Sequence, residues 1–199
     1  MNLVLVGFMG SGKTVVGRNI SRRIGYGFLD TDHFIEKELG CTIADIFSEK
    51  GEAHFRKLET SLAERLDQLD NYVIATGGGI LTTPGNLDRL RRAGVVVFLK
   101  ADPEGIHTRL QRDTKRPKLR EGDDLQETVE RLLAERMPLY DQSDIVVETK
   151  GKNIHRLVGE IIQRAAEFRG EARAASGEPP DGTPPDGTPP DSPEQETEP

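Results

Sequence analysis

The segment Gly7-Phe8-Met9-Gly10-Ser11-Gly12-Lys13-Thr14 follows the apolar run Leu3-Val4-Leu5-Val6 and precedes an amphipathic helical pattern. A strand, a glycine-rich turn and a helix N-terminus in that order leave few folds open. The spacing G-x4-G-K-[ST] is demanding because each position has a separate task. Glycines let backbone N–H groups turn inward around phosphate oxygens, Lys13 reaches the β and γ phosphates, and the Thr14 hydroxyl can ligate Mg²⁺. The helix starting at Lys13 adds its positive dipole end. The chain is therefore expected to bind a nucleoside triphosphate.

Apolar runs at 2–7, 27–30, 72–76, 95–100 and 144–149 alternate with helical patterns at 13–24, 32–39, 43–49, 52–69, 85–93, 103–112, 124–139 and 153–169. Such alternation implies an α/β domain, a mostly parallel sheet covered by helices on both faces. The helix over 153–169 is the clearest, since Ile154, Leu157, Val158, Ile161, Ile162, Ala165 and Phe168 keep one face apolar. The stretch 113–123 shows no periodicity and reads as a mobile loop.

The 199 residues suit one domain, assigned here to 1–170. From Glu171 to Pro199 a Pro-Pro-Asp-Gly-Thr unit repeats without any large apolar residue, and the expectation is a disordered acidic tail. That tail carries eight acidic residues against Arg173, a net of −7, which equals the net charge of the whole chain. Residues 1–170 are thus near neutral, which argues against general nucleic-acid binding. Cys41 is the only cysteine, so no intramolecular disulfide can form. Neither the first strand nor Val95-Val96-Val97-Phe98-Leu99 is long enough to span a membrane, and the first lacks a signal-peptide flank. A cytoplasmic protein is expected. His33, His54, His107 and His155 show no metal-ligand spacing.

Several residues stand out as carriers of chemistry. Asp30-Thr31-Asp32 follows the short strand Phe28-Leu29, and an extended backbone would turn both carboxylates to one side, one for Mg²⁺ and one for a substrate hydroxyl. Capping of the next helix is the plainer alternative. Thr76-Gly77-Gly78-Gly79 ends a strand, where glycines allow backbone to approach a ligand closely. Leu125, Val129 and Leu132 set an apolar stripe whose next position is Arg136. A guanidinium there needs an anion, either a structural carboxylate or that of a substrate. Arg56 borders another stripe, with Glu59 one turn away to orient it. Arg109, Arg112, Lys115, Arg116, Lys118 and Arg120 bracket the 113–123 loop, as in a lid whose cations close over a triphosphate.

Taken in order, G-F-M-G-S-G-K-T at 7–14, L-D-T-D at 29–32, A-D-I-F-S-E-K-G-E-A-H-F-R-K-L-E at 44–59, T-G-G-G at 76–79, R-P at 116–117 and E-R-M-P-L-Y at 135–140 resemble the shikimate kinases, over about residues 1–168. The resemblance implies a P-loop fold akin to nucleoside monophosphate kinases, with a five-stranded parallel sheet of order 2-3-1-4-5 and a mobile lid. It implies ATP as co-substrate, Mg²⁺ as cofactor, and phosphorylation of the 3-hydroxyl of shikimate by a monomer. Gly10, Ser11, Gly12, Lys13 and Thr14 would hold ATP, with Thr14 and Asp30 at the metal. Asp32 would be the base, and Arg56 and Arg136 would clamp the shikimate carboxylate beside Gly77, Gly78 and Gly79. Arg116 would be the lid arginine, Arg109 would stack on adenine, and Lys152 and Asn153 would complete the adenine pocket. Lys118 departs from the apolar residue usual at that position. Gluconate kinase, a relative with a carboxylate-bearing polyol substrate, and a nucleotide-binding regulatory module are the alternatives. Lys13, Asp32 and Arg116 together weigh against the second.

Overall fold

The computed structural model describes residues 1–112 and 125–176. The strands are β1 (Asn2–Val6), β2 (Gly27–Asp30), β3 (Tyr72–Ala75), β4 (Gly94–Lys100) and β5 (Ile145–Glu148). The helices are α1 (Lys13–Ile24), α2 (Thr31–Leu39), α3 (Ile43–Ala63), α4 (Asn86–Ala93), α5 (Pro103–Arg112), α6 (Leu125–Tyr140) and α7 (Ile154–Ser176), with 3-10 turns at Leu66–Gln68 and Ile80–Thr82.

The strands form one parallel sheet of order β2-β3-β1-β4-β5. Leu3 to Val6 of β1 and Val95 to Leu99 of β4 are buried throughout, so the central strands read as unbroken apolar runs. Each such side chain taken from water contributes about 1.5–3 kcal/mol. Asn2 is the buried polar exception. Its Nδ2 donates to the carbonyls of Leu69 at 2.7 Å and Ala93 at 2.9 Å, and its Oδ1 accepts from the Tyr72 N–H at 2.9 Å. It ties the start of β1 to both neighbouring strands, and losing the amide would leave buried groups unpaired.

Contacts divide the chain into Met1–Ala165, which holds the whole sheet, and Ala166–Pro199, of which the described part is helical as far as Ser176. Helix thus continues past residue 170, where disorder was expected. Glu171, Ala172, Arg173, Ala174 and Ala175 are good helix formers, and their propensity extends the helix beyond the last apolar position of its stripe, Phe168. Residues 177–199, the rest of the expected tail, lie outside the described residues.

The two expected helices, 43–49 and 52–69, meet within α3, where non-helical backbone at Gly51 separates them. α3 runs through a kink at Gly51 (φ 77°, ψ 170°), stops at Ala63, and is followed by the 3-10 turn. Its start is fixed by a capping box in which the Thr42 and Asp45 side chains each bond the other's backbone N–H.

Candidate active site

Three chain segments leave the sheet at neighbouring strand ends: the phosphate loop after β1, Asp30 at the end of β2, and Thr76 to Gly79 after β3. The carboxyl ends of parallel strands are where open α/β sheets place their ligands.

In the loop, Gly10 and Gly12 take positive φ of 75° and 98°, a backbone that side-chain-bearing residues rarely adopt. Gly12 is the N-cap of α1 and offers no side-chain cap, so the first amides of the helix stay available to an anion. Ser11 is buried between these glycines. Lys13 is only 8% exposed, and its Nζ donates to the carbonyls of Gly7 at 2.7 Å and Phe8 at 2.9 Å. The ammonium is thus folded against the loop that it would serve. Thr14 Oγ1 donates to Asp30 Oδ2 at 2.7 Å, which places two hard oxygen groups together at the edge of the loop. Arg109 of α5 reaches the same loop, donating to the Gly10 carbonyl at 2.7 Å.

Asp30 and Asp32 do not share one extended face. α2 begins at Thr31, and Asp30 is its N-cap, accepting from the His33 N–H at 3.3 Å. Capping starts the helix one residue too early for the i, i+2 argument to hold. The carboxylates diverge as a result: Asp30 faces Thr14, while Asp32 Oδ1 lies beside Gly77, where a Cβ would come within 2.6 Å of it. The two oxygens of Asp30 divide, one capping α2 and the other meeting Thr14. Thr31 between them is buried and accepts from the Gly77 N–H at 3.0 Å, anchoring the glycine turn to α2.

The glycine turn is contacted by three helices. At Gly77 a Cβ would sit 2.5 Å from Glu59 Oε1, and at Gly79 it would collide with the Arg56 guanidinium. Only glycine admits such an approach. Arg56 Nη1 pairs with Glu59 at 2.5 Å and Nη2 with Glu52 at 2.8 Å. Burial disfavours the Arg56 cation, but Glu59 and Glu52 more than reverse this and raise its pKa. Glu59 has no exposed surface, and burial, with Asp32 adding to it, pushes its carboxyl up to about 7 against the pull of Arg56 and Arg136.

Arg136 of α6 is half-buried, not enclosed in the core. Its guanidinium lies 5.4 Å from the centre of the Phe8 ring, and Nη1 donates to the Gly78 carbonyl at 3.3 Å. Among the described residues it makes no direct ion pair, and the carboxylate whose charge it bears on is the buried Glu59. Tyr140, one turn on, donates to the same carbonyl at 2.6 Å.

Lys152 pairs with Glu160 at 2.6 Å, and Asn153 Oδ1 accepts from the Arg156 N–H at 2.9 Å at the start of α7. Both follow the end of β5. Arg116, Lys118 and the rest of the expected lid at 113–123 lie outside the described residues. Sequence reasoning gave no role to Thr31, Phe8 or Tyr140. A buried threonine between two aspartates, or an aromatic closing an apolar helix face, looks like ordinary core.

A family model described as shikimate kinase matches residues 9–166. The shikimate kinase of Caldanaerobacter subterraneus subsp. tengcongensis is 39% identical over 169 residues, 85% of this chain and 98% of that protein. Among solved structures, a shikimate kinase from Acinetobacter baumannii in complex with shikimate superposes with a TM-score of 0.78 at 38% identity, covering 83% of this chain and 93% of that one. A gluconokinase from Sinorhizobium meliloti, covering 88% of this chain and 97% of its own, is similar at a TM-score of 0.56 and 20% identity, a likeness of fold alone.

Proposed function

This chain belongs to the shikimate kinase family, and we propose that the two half-sites around β1, β2 and β3 divide its reaction between them. The reaction is ATP-dependent phosphorylation of the 3-hydroxyl of shikimate, giving shikimate 3-phosphate and ADP, a step of the chorismate and aromatic amino acid pathway. The observation that carries the residue assignment is the convergence on Gly77, Gly78 and Gly79 of one carboxylate, Asp32, and two guanidinium groups, Arg56 and Arg136. A hydroxyl acceptor that also bears a carboxylate suits that set.

On the donor side, Lys13 leaves the loop carbonyls for the phosphates of ATP, whose oxygens meet the amides of Gly10, Ser11, Gly12 and Thr14. Thr14 and Asp30 fit Mg²⁺, a hard cation that takes oxygen ligands, keeps several waters and uses few protein groups. When bound there, Mg²⁺ neutralises charge on the phosphate oxygens. Arg109, already at the loop, together with Lys152 and Asn153, borders the base. By resemblance alone, Arg116 supplies a further cation to the phosphates.

On the acceptor side, Arg56 and Arg136 grip the shikimate carboxylate and so fix the ring against the glycine turn. Asp32 accepts the hydroxyl proton as the oxygen attacks the γ-phosphorus. The new O–P bond forms as the bond from the γ-phosphorus to the β–γ bridging oxygen breaks, and the electron pair leaves with ADP. By resemblance alone, the enzyme acts as a monomer on two small molecules, ATP and shikimate, in the cytoplasm. The family match from 9 to 166 supports placing the activity within residues 1–170.

An ADP-release assay with shikimate, with gluconate and without acceptor tests the reading. ADP release dependent on shikimate is expected; release with gluconate but not shikimate would overturn it.

A further inference from the structure

We infer that Tyr140 is a positioning residue for the acceptor: its hydroxyl holds the Gly78 carbonyl, so that Arg136 can leave that carbonyl for the acceptor's carboxylate. The inference rests on the assignment of Arg136 as a carboxylate clamp.

Arg136 and Tyr140 stand four residues apart on α6, hence on one face, and both donate to a single oxygen. The two bonds are unequal. At 2.6 Å the phenol bond lies at the short end for O–H to O, whereas 3.3 Å is long for N–H to O. Their surroundings differ in the same sense. Tyr140 is 2% exposed and stacks on Phe98 of β4, with ring centres 4.9 Å apart and planes 21° apart, so its hydroxyl has little freedom to move away. Arg136 is half-buried over the face of Phe8, a contact it can keep while its fork turns to another anion.

Gly78 is where the two half-sites touch. A Cβ there would lie 2.9 Å from the Met9 amide nitrogen of the phosphate loop, so the turn has no slack toward the donor side. The Gly78 carbonyl shares a peptide plane with the Gly79 N–H, so its direction sets where that amide points. A guanidinium that takes up a substrate carboxylate must give up its long bond to this carbonyl. With Tyr140 in place the oxygen remains satisfied and the turn keeps its shape. Without the hydroxyl, the same release leaves a polar atom unpaired, and acceptor binding bears that cost.

The test uses the full chain with Tyr140→Phe, Arg136→Met and the double variant. Steady-state kinetics, shikimate titration calorimetry without ATP, and thermal melts are measured on each. Tyr140→Phe retains the ring and its stack, so it should fold and melt near wild type. Its shikimate KM and Kd should rise about fivefold, with kcat and the ATP KM within about twofold. In the Arg136→Met background the same change should add almost nothing, because no cation then competes for the carbonyl. Unchanged shikimate affinity in Tyr140→Phe overturns the inference. So does a joint loss of shikimate affinity, ATP affinity and melting temperature, or an effect undiminished in the Arg136→Met background. A shikimate defect in Arg136→Met with a silent Tyr140→Phe removes the inference alone. Normal shikimate affinity in Arg136→Met removes the carboxylate clamp, and this inference with it.

Discussion

The phosphate loop takes its shape from one stretch of chain, Gly7 to Thr14, with Asp30 reaching in from the next strand. The glycine turn at 77–79 is dressed by Asp32 from α2, Arg56 and Glu59 from α3, and Arg136 and Tyr140 from α6. Their electrostatics differ in kind. On the donor side a cation rests on neutral carbonyls and a carboxylate on a hydroxyl. On the acceptor side Asp32, Arg56 and Arg136 all bear on the protonation of the buried Glu59, and Glu59 on that of Arg56. On the proposed reading, the half encoded in one stretch takes ATP, a ligand common to many enzymes, and the half assembled from distant elements selects the acceptor.

If the halves are separable, the largest effect falls on the donor side without disturbing the acceptor. Lys13→Met should reduce turnover by at least about 10²–10³-fold, as for loss of a single group stabilising transition-state charge, while shikimate titration calorimetry returns a wild-type Kd. A shikimate Kd that moves with turnover would mean that the halves are coupled through the loop.

Next in size is the contrast between two neighbours in sequence. Asp32→Asn keeps shape but loses the base, so kcat should fall about 10²-fold or more with the ATP KM retained. Asp30→Asn should raise the Mg²⁺ concentration needed for half-maximal rate and leave the shikimate KM alone. Steady-state kinetics across Mg²⁺ and both substrates separates them. A collapse of ATP affinity in Asp32→Asn would move that residue to the donor half.

Arg136→Lys keeps the charge but loses the planar fork. The shikimate KM should rise about tenfold with the ATP KM unchanged, and Arg136→Met should weaken shikimate further without lowering the melting temperature. A Met variant that unfolds, beside a Lys variant with no shikimate defect, would make Arg136 structural.

The same contrast decides how much the sequence discloses. The phosphate loop is contiguous and each of its positions has a fixed task, and the strands that carry it are unbroken apolar runs, so the parallel sheet and the loop are readable as text, whereas the strand order comes only through the resemblance to a family. Arg136 is readable because it violates a helical stripe, though the residues under it, Phe8 and Gly78, come from far along the chain. Asp30 and Asp32 have the right identity but not the expected geometry, since an aspartate that caps a helix ends the extended backbone that the spacing argument assumed. Thr31 and Tyr140 lie inside the family motifs, yet nothing local gives them a task, because each obeys the rules of a core residue while holding Gly77 or Gly78. What escapes the sequence is contact between residues dozens of positions apart that breaks no local rule.

The smallest effect is a pH dependence confined to the acceptor half. The Glu59 carboxyl titrates near 7 in the folded chain, above its ordinary 4.5, chiefly because it is buried. Between those values the native chain keeps a proton that the unfolded chain releases. Its contribution to stability is therefore complete below the unfolded value and is lost as pH rises through about 7, by at most about 3 kcal/mol. Glu59→Gln keeps the size and an acceptor oxygen for Arg56 but does not titrate. The melting temperature of wild type should fall more steeply than that of Glu59→Gln between roughly pH 5 and 8. A bound carboxylate drawing on Arg56 and Arg136 takes away the cations that hold Glu59 down, so binding should raise Glu59 further and take up at most one proton. Shikimate Kd should then weaken above about pH 7, by no more than about tenfold per pH unit, a slope that Glu59→Gln flattens. Calorimetry in buffers of different ionisation enthalpy reads the proton directly, and equal uptake in wild type and Glu59→Gln would assign it to another group.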